Sequence, residues 1–261
     1  MQELRPRRGK KFAQNLSRFR LVTFDVTDTL LRFARPHAVQ YAKTASSFGY
    51  KTDQRKLDMT FNAQFKKMLS DHPNYGVDTK GMDWTDWWRQ LVINIYTQAE
   101  ANIPPKDMER IANKLIELYC TEVCWSKVEA ADEIISKIKS LNKTVGVISN
   151  FDPRLYSLVK IMKLPQFDFI LTSYNEKVAK PDLQIFELAL KASGANKGEA
   201  LHIGNTLSAD YFGALNAGWN SIHISNSSKE WTRNSDVNKD HVFSNLREFL
   251  DALENREIRW L

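Results

Sequence analysis

Four short apolar segments of the sequence each lead into polar residues that could take part in catalysis. These residues are Asp25, Ser149, Lys180 and the pair Asn205 and Asp210. A carboxylate nucleophile beside an ammonium group and a hydroxyl group suits chemistry that passes through an acyl phosphate. In such a site Lys180 would offset negative charge, Ser149 would hydrogen-bond phosphoryl oxygens, and a metal ion could bridge the acids. The residue types therefore indicate transfer of a phosphoryl group to Asp25.

The elements that must position these residues alternate between strand and helix. Short apolar, β-favouring runs predict five strands, at 21–24, 145–149, 169–173, 200–204 and 221–225. Helical patterns surround the last four of them, near 129–141, 153–162, 181–193, 207–217 and 244–255. This alternation predicts an α/β fold with a doubly wound, Rossmann-like parallel sheet. In such sheets ligands bind beyond the carboxyl ends of the strands, where the polar residues lie.

A helical block separates the first predicted strand from the other four. Its helices are predicted at 38–48, 54–70, 84–99 and 106–123, with Asp83 and Pro105 as start signals and no strand among them. An inserted helical cap over 34–128 explains this order, and the α/β core then comprises 17–33 and 129–261. Residues 1–16 are predicted to be a basic, flexible tail.

The charge of the 261-residue chain is concentrated at its start. Residues 1–20 hold seven basic residues and one acid, which accounts for the whole formal charge of +6. The rest of the chain is neutral overall, so no specific nucleic-acid binding is expected. The basic tail is read as solvated chain, with nuclear import or transit as sharper alternatives. The chain has no run of 18 apolar residues, so we expect no membrane-spanning helix. It has only two Cys, so we expect free thiols and a reducing compartment. We therefore expect the protein in the cytoplasm, the nucleus or both.

The four motifs, in their order along the chain, resemble those of the haloacid dehalogenase superfamily of hydrolases with a helical cap after the first motif. The resemblance covers about residues 17–250. It rests on Phe24-Asp25-Val26-Thr27-Asp28-Thr29-Leu30, Ile148-Ser149-Asn150-Phe151-Asp152, Lys180-Pro181-Asp182 and Ile203-Gly204-Asn205 with Asp210. An inserted cap implies a small substrate, because a closing lid excludes water and bulky ligands.

The resemblance implies a catalytic role for each motif. Asp25 would attack phosphorus and form an aspartyl-phosphate. Ser149 and the backbone of Asn150 would hold phosphoryl oxygens, and Lys180 would neutralise the charge that develops. The expected substrate is a small phosphorylated metabolite.

The same resemblance implies a magnesium site. Its ligands would be the Asp25 carboxylate, the backbone carbonyl of Thr27 and the last motif, which contributes Asn205 and Asp210. All of these are oxygen donors, which Mg²⁺ prefers.

Two residues depart from the phosphatase pattern of that superfamily. Thr27 stands where phosphatases carry an Asp that acts as general acid and base, so a slow enzyme is expected. Asn205 stands where Asp usually binds Mg²⁺, so weaker metal binding is expected. The alternative is a catalytically degenerate protein that binds a phosphorylated metabolite or a protein partner. Dehalogenation ranks low, because dehalogenases of the superfamily place an aromatic residue at the position of Thr27.

Overall fold

The protein divides into two compact units. The structure is a computed structural model that describes residues 8–225, 231–232 and 234–260. The core unit takes in the described residues of Met1–Leu31, Lys127–Ser149 and Leu164–Leu261. The helical unit comprises Arg32–Ser126 and Asn150–Lys163. The predicted core range 129–261 therefore needs a correction, because 150–163 belong to the helical unit.

Eight strands and eleven α-helices form in the described residues. The strands are β1 (Leu21–Phe24), β2 (Leu31–Phe33), β3 (Trp125–Lys127), β4 (Thr144–Ser149), β5 (Phe169–Thr172), β6 (Ala200–Gly204), β7 (Asn220–Ile224) and β8 (Val242–Phe243). The helices are α1 (Arg8–Asn15), α2 (His37–Ser47), α3 (Gln54–Asp71), α4 (Trp84–Gln98), α5 (Pro105–Tyr119), α6 (Ala131–Lys139), α7 (Leu155–Ile161), α8 (Ser173–Glu176), α9 (Leu183–Ser193), α10 (Gly213–Asn216) and α11 (Leu246–Asn255). A π-helical turn, Leu207–Phe212, leads directly into α10.

The core unit is built on a parallel six-stranded sheet in the order β5-β4-β1-β6-β7-β8. All four residues of β1 are buried, as expected for a central strand covered on both faces. Phe24 pairs with Val147 of β4 and with Ile203 of β6, so the carboxyl ends of these strands lie side by side. The predicted α/β class is confirmed, but the sheet has six strands instead of five. The added strand is β8, whose two residues are too few to give a periodic pattern.

The helical unit contains α2 to α5 and α7. Helix α4 begins where its sequence predicts, because the Asp83 side chain accepts hydrogen bonds from the Thr85 and Asp86 amides. Pro105 opens α5 at the first helical position. In the turn after α5, Thr121 caps Glu122–Cys124 and β3 follows. No strand lies among α2 to α5, in residues 37–119 that the structure describes in full, as predicted, and β3 after them pairs with β2, which precedes them.

The N-terminal segment departs from the predicted flexible tail. Residues 1–7 lie outside the described residues, but 8–15 form helix α1, which packs against α11. Phe12 and Leu16 are buried. The Asn15 side chain donates to the Leu253 and Arg256 carbonyls, at 2.9 and 2.8 Å, and accepts from the Ile258 amide at 3.0 Å. The segment is thus a packed part of the core unit.

We expect Asn15→Ala to lower the free energy of unfolding by about 1–3 kcal/mol, because it leaves buried main-chain groups without partners. Urea denaturation measures this loss. Gln14→Ala is the matched control, since Gln14 is exposed on the same helix. Equal stability of the two variants would show that the Asn15 contacts with residues 253–258 do not stabilise the fold.

Two further expectations concern thiols and membranes. Cys120 and Cys124 are free, as expected, and Cys124 is buried. Among the described residues no helix is long and apolar enough to cross a lipid bilayer.

Candidate active site

The core unit brings four of the predicted site residues into direct contact. Asp25 follows β1, Ser149 ends β4, Lys180 follows α8, and Asp210 lies in the π-helical turn after β6. Ser149 Oγ donates to Asp25 Oδ1 at 2.9 Å, and Lys180 Nζ donates to the same oxygen at 2.8 Å. Lys180 Nζ also donates to Asp210 Oδ1 at 2.5 Å. The side chains that the sequence placed at one edge of the sheet therefore form one hydrogen-bonded group.

Lys180 is the centre of this group. Its ammonium also donates to the Ile148 carbonyl at 2.7 Å, and its side chain is buried. Burial alone would lower the pKa of Lys180, but the nearby Asp210 and Asp25 carboxylates outweigh burial and raise that pKa above its ordinary value. Lys180 is therefore a fixed positive charge between two acids.

The two acids that contact Lys180 are affected in opposite directions. Burial raises the pKa of the Asp25 carboxyl, against the opposing effect of Lys180. Burial also opposes ionisation of Asp210, but Lys180 and His202 outweigh it and hold the pKa of that carboxyl below its usual range. Asp210 is thus the permanent anion of the site, while Asp25 is the acid whose charge depends most on its surroundings.

His202 and Thr23 belong to the site although the sequence interpretation missed them. His202 Nε2 lies 3.1 Å from Asp210 Oδ1, and His202 Nδ1 lies 2.8 Å from Thr23 Oγ1. Burial lowers the pKa of His202. A neutral ring protonated at Nε2 satisfies both contacts, since it donates to Asp210 and accepts from the Thr23 hydroxyl. Thr23 and His202 pair across β1 and β6. The sequence signal that could have identified them is that each is a polar residue within an otherwise apolar strand.

Gly204 allows Asp210 to lie against the end of β6. A Cβ atom at this position would come within 2.3 Å of Asp210 Cγ, which no side chain permits. Asp210 Oδ2 accepts the Thr206 amide hydrogen at 2.8 Å. The turn after β6 therefore holds Oδ2 of this carboxylate, while Lys180 and His202 hold Oδ1. A π-helical turn at such a position is typical of functional sites.

The remaining predicted residues lie near these in the chain. Thr27 is half-buried two residues after Asp25, and the Asn205 side-chain oxygen accepts the Thr29 hydroxyl at 3.3 Å. Asn150 follows Ser149 directly but belongs to the helical unit, where its carbonyl accepts a hydrogen bond from the Tyr75 hydroxyl. The roles predicted for these three residues stay predictions.

We expect Lys180→Met to lower the free energy of unfolding by about 3–5 kcal/mol, because it leaves two buried carboxylates without their shared cation. Chemical denaturation near neutral pH measures the loss. Lys191→Met is the control, since Lys191 is exposed on α9 and should change stability by no more than about 0.5 kcal/mol. A Lys180 variant as stable as this control would contradict the charged arrangement described here.

Comparison with known proteins agrees with this geometry. The family model for haloacid dehalogenase-like hydrolases matches residues 19–218. The chain is 38% identical to the Rhythmically expressed gene 2 protein of Drosophila melanogaster, over 95% of this chain and 100% of that protein. It is 29% identical to mouse (Mus musculus) haloacid dehalogenase-like hydrolase domain-containing protein 3, over 90% of this chain and 94% of that protein.

Solved structures of low sequence identity share the fold. A dehalogenase crystal structure aligns with a TM-score of 0.66 and 20% identity, over 90% of this chain and 97% of the other. The HAD-hydrolase YfnB from Bacillus subtilis, bound to magnesium, aligns with a TM-score of 0.64 and 16% identity, over 90% and 98%. With four motif residues in one hydrogen-bonded group and a family model that matches most of its length, this chain belongs to the haloacid dehalogenase-like hydrolase family.

Proposed function

We propose that this protein is a Mg²⁺-dependent phosphatase that hydrolyses a small phosphorylated metabolite through an aspartyl-phosphate on Asp25. One observation carries the proposal. The Asp25 oxygen that accepts from Ser149 also accepts from Lys180, and Lys180 is held by a second buried carboxylate, Asp210. This arrangement presents a carboxylate nucleophile together with a fixed cation and a hydroxyl donor.

The reaction follows from these groups. An Asp25 carboxylate oxygen forms a bond to phosphorus while the bond from phosphorus to the ester oxygen breaks, and the departing oxygen takes a proton from water. Lys180 and Ser149 neutralise the negative charge that spreads over the phosphoryl oxygens. Water then attacks the aspartyl-phosphate, which releases inorganic phosphate and restores the Asp25 carboxylate.

The oxygen donors of the site fit the proposed metal ion. The Asp25 carboxylate, the Thr27 carbonyl and the Asn205 side chain supply hard oxygen ligands of the kind that Mg²⁺ prefers. When bound, Mg²⁺ would offset charge on the phosphoryl group. The Asp210 carboxylate already accepts hydrogen bonds from Lys180, His202 and Thr206. These bonds favour a role for Asp210 in holding Lys180 over direct contact with the metal.

Thr27 sets the expected rate and favours a phosphatase over a dehalogenase. Its hydroxyl is too weak an acid and too weak a base for proton transfer in catalysis near neutral pH, so protonation of the leaving group and activation of water lack a dedicated residue. We therefore propose a slow enzyme. A dehalogenase with the same Asp, Ser and Lys is disfavoured, because Thr27 is not the aromatic residue that the family resemblance implies for that activity.

Thr27 and Asn205 also support a second candidate, a family member that binds phosphorylated ligands or a protein without turnover. With Thr27 the site lacks the carboxylate that would transfer protons, and with Asn205 it lacks a charged metal ligand. This candidate predicts that the protein does not turn over phosphate esters.

We also propose, from sequence alone, a location in the cytoplasm, the nucleus or both, with no specific nucleic-acid or membrane partner.

Phosphate release from a panel of small phosphate esters, with and without Mg²⁺, tests the proposal. A parallel reaction with 2-chloropropionate measures halide release. We expect slow phosphate release that requires Mg²⁺, and no halide. Halide release without phosphate release would identify a dehalogenase. No release of either product, with Mg²⁺ bound in a titration, would favour the non-catalytic candidate.

A further inference from the structure

A turn with left-handed backbone conformation in the helical unit contains a buried tyrosine, Tyr75. Asn74, Tyr75 and Gly76 follow one another with φ of 50°, 58° and 78°, all in the left-handed region. A residue with a side chain rarely adopts this conformation, and it persists where the surrounding structure holds it. At Gly76 the φ of 78° favours glycine, and a Cβ atom there would also press on the Met82 side chain, 2.7 Å from its Sδ. Asn tolerates the left-handed conformation, so Tyr75 is the strained residue of this turn.

The Tyr75 side chain supplies a physical reason for this strain. It is buried, and its hydroxyl donates to the Asn150 carbonyl at 2.8 Å. Its ring packs edge-on against Trp87 at 5.3 Å and nearly parallel to Trp88 at 6.0 Å. The turn thus holds one hydroxyl against one main-chain carbonyl, and the aromatic neighbours limit its movement.

The segment that begins at Asn150 is held a second time by the same unit. Trp88 Nε1 donates to Asp152 Oδ2 at 2.8 Å, and the Arg154 guanidinium pairs with that oxygen at 2.9 Å. The guanidinium also lies 4.5 Å from the centre of the Trp88 ring. Asp152 and Arg154 are both buried. Two attachments within five residues fix the chain that follows Ser149.

We propose that Tyr75 is a positioning residue for the phosphoryl-binding segment Ser149-Asn150, an inference that rests on the proposed function. The hydrogen bond to the Asn150 carbonyl fixes the plane of the peptide bond between Asn150 and Phe151. It thereby restricts rotation of the Asn150 backbone, whose other peptide group is assigned to phosphoryl oxygens. Tyr75 itself contacts no reacting atom in this proposal, and it acts through Asn150.

Tyr75→Phe tests the proposal by removing one oxygen atom. Because phosphoryl oxygens are held in both substrate and transition state, looser positioning should weaken binding more than it slows the chemical step. We expect KM for an active ester, and Kd for inorganic phosphate in the presence of Mg²⁺, to rise about threefold to tenfold. We expect kcat to change by less than about twofold.

Tyr96→Phe is the matched control. The Tyr96 hydroxyl is also buried in the helical unit and donates to a main-chain carbonyl, that of Tyr41, at 2.9 Å. The two substitutions make the same chemical change, so the midpoint temperature of thermal unfolding should fall by similar amounts in both variants. Only Tyr75→Phe should alter KM and phosphate binding.

The outcomes separate this inference from the proposed function. If the wild-type protein binds phosphate and the two variants bind it equally well, the positioning role of Tyr75 is wrong and the proposed function is unaffected. If the wild type hydrolyses no ester but binds phosphate, the proposed function fails, and phosphate binding by the two variants still decides the role of Tyr75. A wild type that neither hydrolyses esters nor binds phosphate overturns both.

Discussion

Asp25→Asn is expected to reduce phosphate release at least about a thousandfold, because loss of the nucleophile removes the whole covalent route. The amide of Asn has nearly the shape of the carboxylate and can still accept hydrogen bonds from Ser149 and Lys180. Its oxygen carries no charge, however, and does not form a stable bond to phosphorus. Phosphate release with the most active ester of the panel, at saturating Mg²⁺, measures the loss.

Asp28→Asn is the matched control for this substitution. Asp28 is exposed and has a left-handed backbone with φ of 60°, a conformation that Asn tolerates well. The same acid-to-amide change three residues later should leave the rate within about twofold of the wild type. Retained activity in Asp25→Asn would exclude the aspartyl-phosphate. A large loss in Asp28→Asn would identify Asp28 as the missing proton-transfer group.

Thr27→Asp is expected to raise the rate of phosphate release by about 10²- to 10⁴-fold, the usual contribution of a general acid and base. Thr27 is half-buried, so a carboxylate of similar size can be accommodated without leaving water entirely. An Asp here could protonate the departing oxygen and then take a proton from the attacking water. The rate of the first step should increase least for esters whose departing alcohol or phenol has a low pKa, because such a group leaves without needing a proton. Steady-state kinetics with alkyl and nitrophenyl phosphates measures both effects.

Thr27→Asn is the control for the gain. It has the shape of the Asp variant but cannot act as a general acid or base near neutral pH, so its rate should stay within about tenfold of the wild type. If Thr27→Asp is no faster than Thr27→Asn, the absent acid is not what limits the enzyme. Attention would then turn to Asn205 and to metal binding.

Local sequence signals account for most of the secondary structure. Asp83 and Pro105 act within one turn of the helices that they begin, and the buried run Leu21–Phe24 reads as a strand by itself. The same signals fail for Val242–Phe243, because two residues form a strand only when a neighbouring strand offers hydrogen bonds. They fail also for α1, where basic residues suggest a solvated tail but Phe12 and Leu16 find an apolar surface.

The sequence by itself determined the family, the parallel sheet and the positions of Asp25, Ser149 and Lys180 at its edge. This is because the order of the motifs and the ends of the strands can be recognised from short stretches of sequence. Only the tertiary structure decided that Lys180 lies between Asp25 and Asp210, which are 155 and 30 residues away along the chain. It also decided that His202 orients Asp210. These contacts depend on strand register and packing between distant segments, and no short window of sequence contains both partners.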